Sequence, residues 1–355
     1  MNPNLVLCYP DENISPLHPL CHHGDARFQS GIIGAMSEYL NRLTRISPSN
    51  AAQTGLRVLD LFAGCGGLAL GFEAAGFETF GYEKDADAVS TYNQNLHGQC
   101  AEEFLTVETD LPEADLVIGG PPCQPFSVGG LQMGLQDSRD GFPIFIKAIE
   151  TIQPTLWIFE NVRGMMFRNK DYLIEIINKL ESFGYQIDTK ILKAVEFGVP
   201  QNRERLFVVG HKGGFHFPAP SSEKFTAGDA IGDIAYAIDQ EDMFVSKNQD
   251  EYIARYEKAS KCINPRDLHM DRPSRTVTCR NLAGATGDMM RIKLPDGRRK
   301  RLNVRDAARL QSFPDWFEFC GSKTSQFNQL GNAVPPMLAY QLAVSVRALF
   351  LGEEV

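Results

Sequence analysis

At 355 residues, with 43% hydrophobic and 22% charged residues and a formal net charge of −9, the chain reads as a globular protein with room for one large domain and a smaller one, not as a disordered one. No apolar run approaches the ~20 residues of a membrane span, and an N-terminus carrying Asp11 and Glu12 without a basic lead into an apolar core does not read as a signal peptide, so a cytoplasmic location is expected. The eight cysteines are scattered with no C-x-x-C pair, as reduced thiols would be.

Residues 1–54 form an N-terminal extension with little pattern. It carries five prolines and a patch of Cys8, His18, Cys21, His22 and His23. Those spacings match no standard zinc pattern, so no metal site is expected. A short helix is predicted from about Gly34 to Ile46. From Leu56 the pattern sharpens: a buried strand Leu56–Phe62, a glycine-rich turn Ala63–Gly67, a helix Leu68–Ala75 and a second strand Phe77–Tyr82 stopping at Glu83. This order is that of a nucleotide-type βαβ unit. Glu83, about 20 residues beyond the first strand, is placed to accept hydrogen bonds from ribose hydroxyls. The turn lacks a Lys-Ser/Thr pair, so a nucleoside with a less anionic tail fits better than a triphosphate.

A helix over 86–96 follows, and strands and helices then alternate through Leu116–Ile118, Pro143–Ile152, Leu156–Phe159, Tyr172–Phe183, Ile187–Val195 and Arg205–Val209. Such alternation predicts an α/β fold with an open, mostly parallel sheet covered on both faces. Within it, Gly119-Gly-Pro-Pro-Cys123-Gln-Pro-Phe-Ser127 cannot continue as helix or strand, because each proline fixes φ and forces its predecessor into extended backbone. A single thiol in a stiff turn suits a nucleophile, whereas a disulfide or metal site needs partners at set spacings. The glycines at Gly129, Gly130 and Gly134 suggest a lid behind it.

After Gly210 the periodicity dissolves, and regular helices return near 304–309 and 336–351. The expected organisation is therefore an extension (1–54), a catalytic domain (55–210), a small irregular domain (211–300) and a segment returning to the catalytic domain (301–355). Between Arg255 and Arg309 fifteen Lys/Arg face six Asp/Glu, a local balance of +9. Such an excess is either a phosphate-gripping face or a solvated surface.

Taken together, these motifs resemble, in number, order and identity, the C5-cytosine DNA methyltransferases of bacterial restriction–modification systems, over about residues 56–350. The resemblance implies a Rossmann-like, class I S-adenosylmethionine-dependent methyltransferase with a target recognition domain in 211–300. It implies a cofactor loop of Asp60, Phe62, Gly64, Gly66, Gly67 and Leu68, with Glu83 on the ribose and Asp110 on the adenine. Pro122, Phe142, Asn332 and Ala333 would complete that site. Cys123 would be the nucleophile, Glu160 of Glu160-Asn161-Val162 the acid, and Arg203 and Arg205 of Gln201–Arg205 the charge stabilisers. Gln124, Ser127, Arg275, Thr276 and Arg280 would contact DNA. Arg305–Arg309 with Phe313–Asp315, and Gly331–Pro335, match the two final motifs. Two positions depart from the pattern: Asp140 and Pro143 stand where a helix-forming aromatic is usual, and Lys84 where an aromatic often stacks on adenine.

The implied chemistry explains the residue types. A thiolate adding to C6 of cytosine turns C5 into an enamine-like carbon able to attack the methyl group of S-adenosylmethionine, leaving S-adenosylhomocysteine. A free thiol has a pKa of about 8.5, so the turn and nearby charge are expected to help ionise Cys123. Glu160 would protonate N3 and Arg205 would hold O2. The base must be flipped out of the duplex. The implied partners are double-stranded DNA and a functionally paired restriction endonuclease, with the enzyme a monomer. An RNA cytosine methyltransferase and a catalytically idle DNA-binding regulator are the alternatives. The tRNA branch usually carries Thr at the Ser127 position and a Cys-Phe-Thr element absent here, and complete catalytic residues argue against the regulator.

Overall fold

The computed structural model describes residues 38–48, 53–123, 140–238, 244–259, 261, 266–284 and 288–353. The cysteine–histidine patch of the N-terminal extension and the glycines at 129–134 lie outside these. A helix is described over 38–44 (α1). There follow β1 (Arg57–Leu61), α2 (Gly67–Ala74), β2 (Glu78–Glu83), α3 (Ala86–Asn95), β3 (Gln99–Glu102), β4 (Leu116–Gly119), α4 (Phe142–Ile152), β5 (Leu156–Val162), α5 (Lys170–Glu181), β6 (Gln186–Lys193), β7 (Gln201–Asn202) and β8 (Glu204–His211). Beyond them come α6 (Ala227–Ile231), α7 (Lys247–Ala259), β9 (Ser274–Arg275), α8 (Cys279–Ala283), β10 (Arg291–Lys293), β11 (Arg299–Arg301), α9 (Val304–Leu310), α10 (Lys323–Asn332) and α11 (Pro336–Leu351).

Seven strands form one sheet in the order β3-β2-β1-β4-β5-β8-β6. The first five are parallel, and β8 enters antiparallel between β5 and β6. The parallel strands read as near-continuous apolar runs because both faces are covered. Alternation along each strand builds two cores. Val58, Ile118, Ile158 and Phe207 enter one, shared with α2 and α11. Leu59, Val117, Phe159 and Val208 enter the other, shared with α4 and α5.

The expected mostly parallel sheet is thus present, with three additions. β3 is a polar edge strand with one buried residue, Cys100, so it carries no hydrophobic pattern. α10 is likewise mostly polar, held by a cap from Ser322 to Ser325 N–H. The segment beyond Gly210 is more regular than its weak periodicity suggested. α7 is a polar helix that buries only Ile253. The main core also runs past Gly210 through Phe215, Phe225, Ala230, Ile231 and Ala235. A separate small cluster is made by Val245, Ile253 and Met289. One apolar stretch escaped notice as well: Lys323–Leu351, helical in two pieces, has the length and composition of a membrane span, but 61% of its most apolar window is buried inside the protein.

Candidate active site

The sheet order reverses between β1 and β4, and a ligand crevice opens at such a switch point, outside the carboxyl ends of the strands. The glycine loop leaves one side of the crevice and the Cys123 loop leaves the other. Phe62 turns the chain off β1 with φ +61°, a left-handed conformation costly for a bulky residue. A side-chain carbon at Gly67 would lie 2.5 Å from the Val334 carbonyl and 3.2 Å from Ala333 Cβ, so α2 can start only against the last motif if this residue is glycine. Leu68 is buried behind it. Gly66 at the N-cap of α2 offers no side-chain cap, which leaves the first-turn N–H groups to another partner.

Glu83 ends β2 and binds the loop directly. Its Oε2 accepts from Gly64 N–H at 3.0 Å, and its Oε1 from the N–H groups of Lys84 and Asp85. The sequence reading gave this carboxylate to a ribose; the structure shows that it also shapes the loop. Asp60 is buried, and its Oδ2 has no hydrogen-bond partner. Burial, with Glu83 nearby, holds its carboxyl well above the usual carboxylate range. An orphaned buried carboxyl oxygen, an uncapped helix start and open space over Gly64 fit a nucleoside with a polar tail at this loop. Asp110 is exposed and close enough to Tyr82 to raise its hydroxyl's pKa. Phe142 does not face the crevice: it is fully buried, edge-on to Phe159 and Tyr172, and belongs to the core.

On the other side, Pro121 is buried, Pro122 exposed and Cys123 half-buried. The loop is fixed at two points. Asn161 Nδ2 donates to the Pro121 carbonyl at 3.0 Å, and Gly141 N–H to the Pro122 carbonyl at 2.9 Å. Asn161 adjoins Glu160 on β5, so one strand end holds both the carboxyl and the loop carrying the thiol. Arg205 on neighbouring β8 brings Nε to 2.8 Å from Glu160 Oε1. This is a close ion pair by distance, although the N–H does not align well enough for Oε1 to count as hydrogen-bonded. Burial pushes the Glu160 carboxyl up, and Arg205 and Arg203 offset this only in part.

Two expectations are corrected here. The Cys123 thiol is not helped toward ionisation by its surroundings as a whole: burial and Asp140 raise its pKa, and only a hydrogen bond from Asn169 lowers it. Among the described residues no cation is one of these influences. Arg203, expected beside the substrate, is 1% exposed and donates to the carbonyls of Val277, Gly331 and Ala333 at 2.9–3.2 Å. Deep burial lowers its pKa to about 9.

Arg203 belongs to a buried polar hub that the sequence did not disclose. Gln201 accepts from Val277 N–H and donates to the Leu310 carbonyl and to Gln311. Gln311 in turn donates to the carbonyls of Leu330 and Ala333. A short parallel pairing of β7 with β9 continues this join. The exposed Asn332 accepts from the Cys279 thiol at 3.3 Å.

Of the residues expected at DNA, Gln124 and Ser127 lie outside the described residues. Arg275 is bound to the carboxylate and carbonyl of Asp288, and Thr276 Oγ1 donates to the Asn202 carbonyl at 2.6 Å. Arg280 is 78% exposed, with its Nε 4.0 Å from Asp288 Oδ2 in a loose ion pair at the surface. Part of the local excess of positive charge is internal, while Arg255, Lys258, Lys261, Arg272, Lys293 and Arg298 stay exposed with Arg280. Arg291 is fully buried between Glu257 and Asp267, Arg299 joins Asp267 and Asp250, and Lys300 donates to the Ala237 carbonyl. An open cleft of about 390 Å³ beside the ends of β5, β6 and β8 is lined by Arg163, Lys193, Glu204 and Arg205 of the catalytic half and by Thr276, among others.

A seven-stranded sheet with one inserted antiparallel strand, a glycine loop and a thiol loop on either side of the switch point, and a buried carboxyl on the next strand fit a methyltransferase acting on a base. Residues 56–348 match the family model of C-5 cytosine-specific DNA methylases, and the chain belongs to that family as a DNA (cytosine-5)-methyltransferase of the bacterial restriction–modification type. It is 56% identical over 313 residues to the type II methyltransferase M.AplI of Arthrospira platensis, covering 87% of this chain and 90% of that one. A DNA modification methyltransferase encoded within an E. coli prophage superposes with TM-score 0.62 at 26% identity, over 84% of this chain and all of that one. The Entamoeba histolytica methyltransferase EhMeth shares the fold alone, with TM-score 0.66 at 17% identity over 85% of this chain and all of that one.

Proposed function

We propose that this enzyme methylates C5 of a flipped-out cytosine in a defined double-stranded DNA sequence, using S-adenosylmethionine and a transient bond between Cys123 and C6. The observation that carries the reading is the shared strand end: Glu160 pairs with Arg205 while the adjacent Asn161 holds the loop bearing Cys123. Ionised Cys123 adds to C6, and the displaced π electrons run toward N3, which takes a proton from Glu160. Burial suits Glu160 to this task, because it favours the protonated carboxyl. Arg205 steadies the charge on the ring. S-adenosylmethionine, when bound, supplies an electrophilic methyl group; Asp60, Gly64 and Glu83 are the residues we assign to holding it. Once C5 carries the methyl group, its proton passes to solvent water, the C5–C6 double bond re-forms with departure of the thiolate, and N3 returns its proton to Glu160.

We assign target reading to residues 211–300, of which the part around Val245, Ile253 and Met289 has its own small core. Arg203, Gln201 and Gln311 are assigned to joining that segment to the catalytic half. In keeping with the type II designation of M.AplI we also assign a paired restriction endonuclease, and we propose a monomeric cytoplasmic enzyme. The test is trapping on DNA carrying 5-fluorocytosine, where fluorine blocks loss from C5. A stable adduct mapped to Cys123 is expected, and its absence would remove the covalent step.

A further inference from the structure

We infer that Asn169 positions the Cys123 thiol, donating a side-chain N–H to Sγ and so favouring the thiolate; this rests on reading Cys123 as the nucleophile. Asn169 is the N-cap residue of α5, where an asparagine ordinarily accepts a hydrogen bond from an N–H of its own helix. Here its side chain caps nothing. Its backbone carbonyl accepts from Leu173 N–H as the helix requires, and its Nδ2 lies 3.7 Å from Cys123 Sγ. The amide has thus turned away from the helix toward the thiol.

The surroundings show why such a donor matters. Asp140, just before α4, acts on the thiol, and nearby Tyr172 on α5 donates its hydroxyl to Asp140. Asp140 is a buried carboxyl that also accepts from Phe142 N–H at 3.1 Å. Burial and Asp140 disfavour a negative charge on sulfur, and among the described residues Asn169 acts the other way. It cannot titrate, so it offers the thiolate a fixed donor at any pH. It also sits at the positive end of a 12-residue helix, where an anion is favoured.

Two substitutions separate this role from a structural one. Asn169→Ala removes both the donor and any capping ability. Asn169→Asp keeps a good N-cap residue, favours the helix start, removes the donor and places a negative charge against sulfur. The measurement is the pH profile of iodoacetamide alkylation at Cys123 in the full-length protein, followed by peptide mass spectrometry to separate it from the other cysteines. One unit of upward shift in the thiol pKa means about tenfold slower alkylation at neutral pH. We expect a shift of that order for Asn169→Ala and a larger one for Asn169→Asp, with Asn169→Asp melting no lower than wild type. Unmoved profiles in both variants, with wild type still trapped on 5-fluorocytosine DNA, would overturn the inference alone. A wild type that forms no adduct would overturn the reading of Cys123, and the inference with it.

Discussion

On the interior strands β1 and β5, Asp60 and Glu160 are buried carboxyls that each keep an oxygen without a well-aligned hydrogen bond, whereas beyond β8, Asp267 receives two arginines and Asp288 three. Buried charge is expensive in both places. In the second region it is paired and holds structure together, as suits a segment whose own apolar cluster is only Val245, Ile253 and Met289. In the first it is left under-satisfied, so its protonation is held off its ordinary value and capacity remains for a ligand. Density of charge is therefore a poor guide to the reacting centre here, and incomplete satisfaction a better one.

Breaking each side should give different losses. Cys123→Ala should abolish methyl transfer, measured with tritiated cofactor, while equilibrium dialysis shows cofactor binding nearly unchanged; residual turnover would remove the thiol from the chemistry. On the paired side, Arg291→Met leaves Glu257 and Asp267 facing a buried apolar group and should cost about 3–5 kcal/mol in urea denaturation. A cost below about 1 kcal/mol would show the network to be no stronger than a surface ion pair.

Glu160→Gln should lower kcat by ~10²-fold or more with DNA affinity retained. Its stability should behave unlike that of Arg291→Met. The folded wild type holds the Glu160 proton to higher pH than the unfolded chain does, so its stability falls as pH rises from the ordinary carboxyl range through the raised folded value. Glu160→Gln should remove that slope and be no less stable than wild type at neutral pH. A loss of fold on this substitution would make Glu160 a structural group. The smallest effect sharpens the comparison within the second region. Arg280→Ala, removing an exposed guanidinium, should reduce the log–log salt slope of DNA binding by about one. Arg275→Ala, removing a paired one, should lower thermal stability more than it changes that slope.

Much of the catalytic half was legible because its constraints are local. Runs such as Leu116–Ile118 are apolar through and through only when a strand is covered on both faces, and Gly119-Gly-Pro-Pro permits few backbones. Glu83 was legible by its distance from the glycine turn. The roles of Arg203 and Arg275 were not, because an arginine written in sequence carries no mark of its partner. Arg203 meets carbonyls 74 to 130 positions away, and Asp288 collects arginines from 13 and 22 positions away. Counting Arg255–Arg309 as a face summed exposed charges such as Lys258 and Arg272 with ones the fold turns inward, such as Arg291 and Lys300. Asn169 went unnoticed for a related reason: at the start of an apolar-periodic helix, Asn is what a cap alone would call for.

Arg203 also bears on how the two halves can move. One rigid, planar group holds the Val277 carbonyl in the segment beyond β8 and the Gly331 and Ala333 carbonyls in the strip packed on Gly67. A rotation of residues 274–277 about the sheet must either carry that strip along or break bonds inside a dry interior. The segment is thus geared to the glycine loop rather than hung beside it. Whatever free energy such a rotation costs at one end is felt at the other, and by reciprocity a ligand that stiffens the glycine loop stiffens the far segment in equal measure.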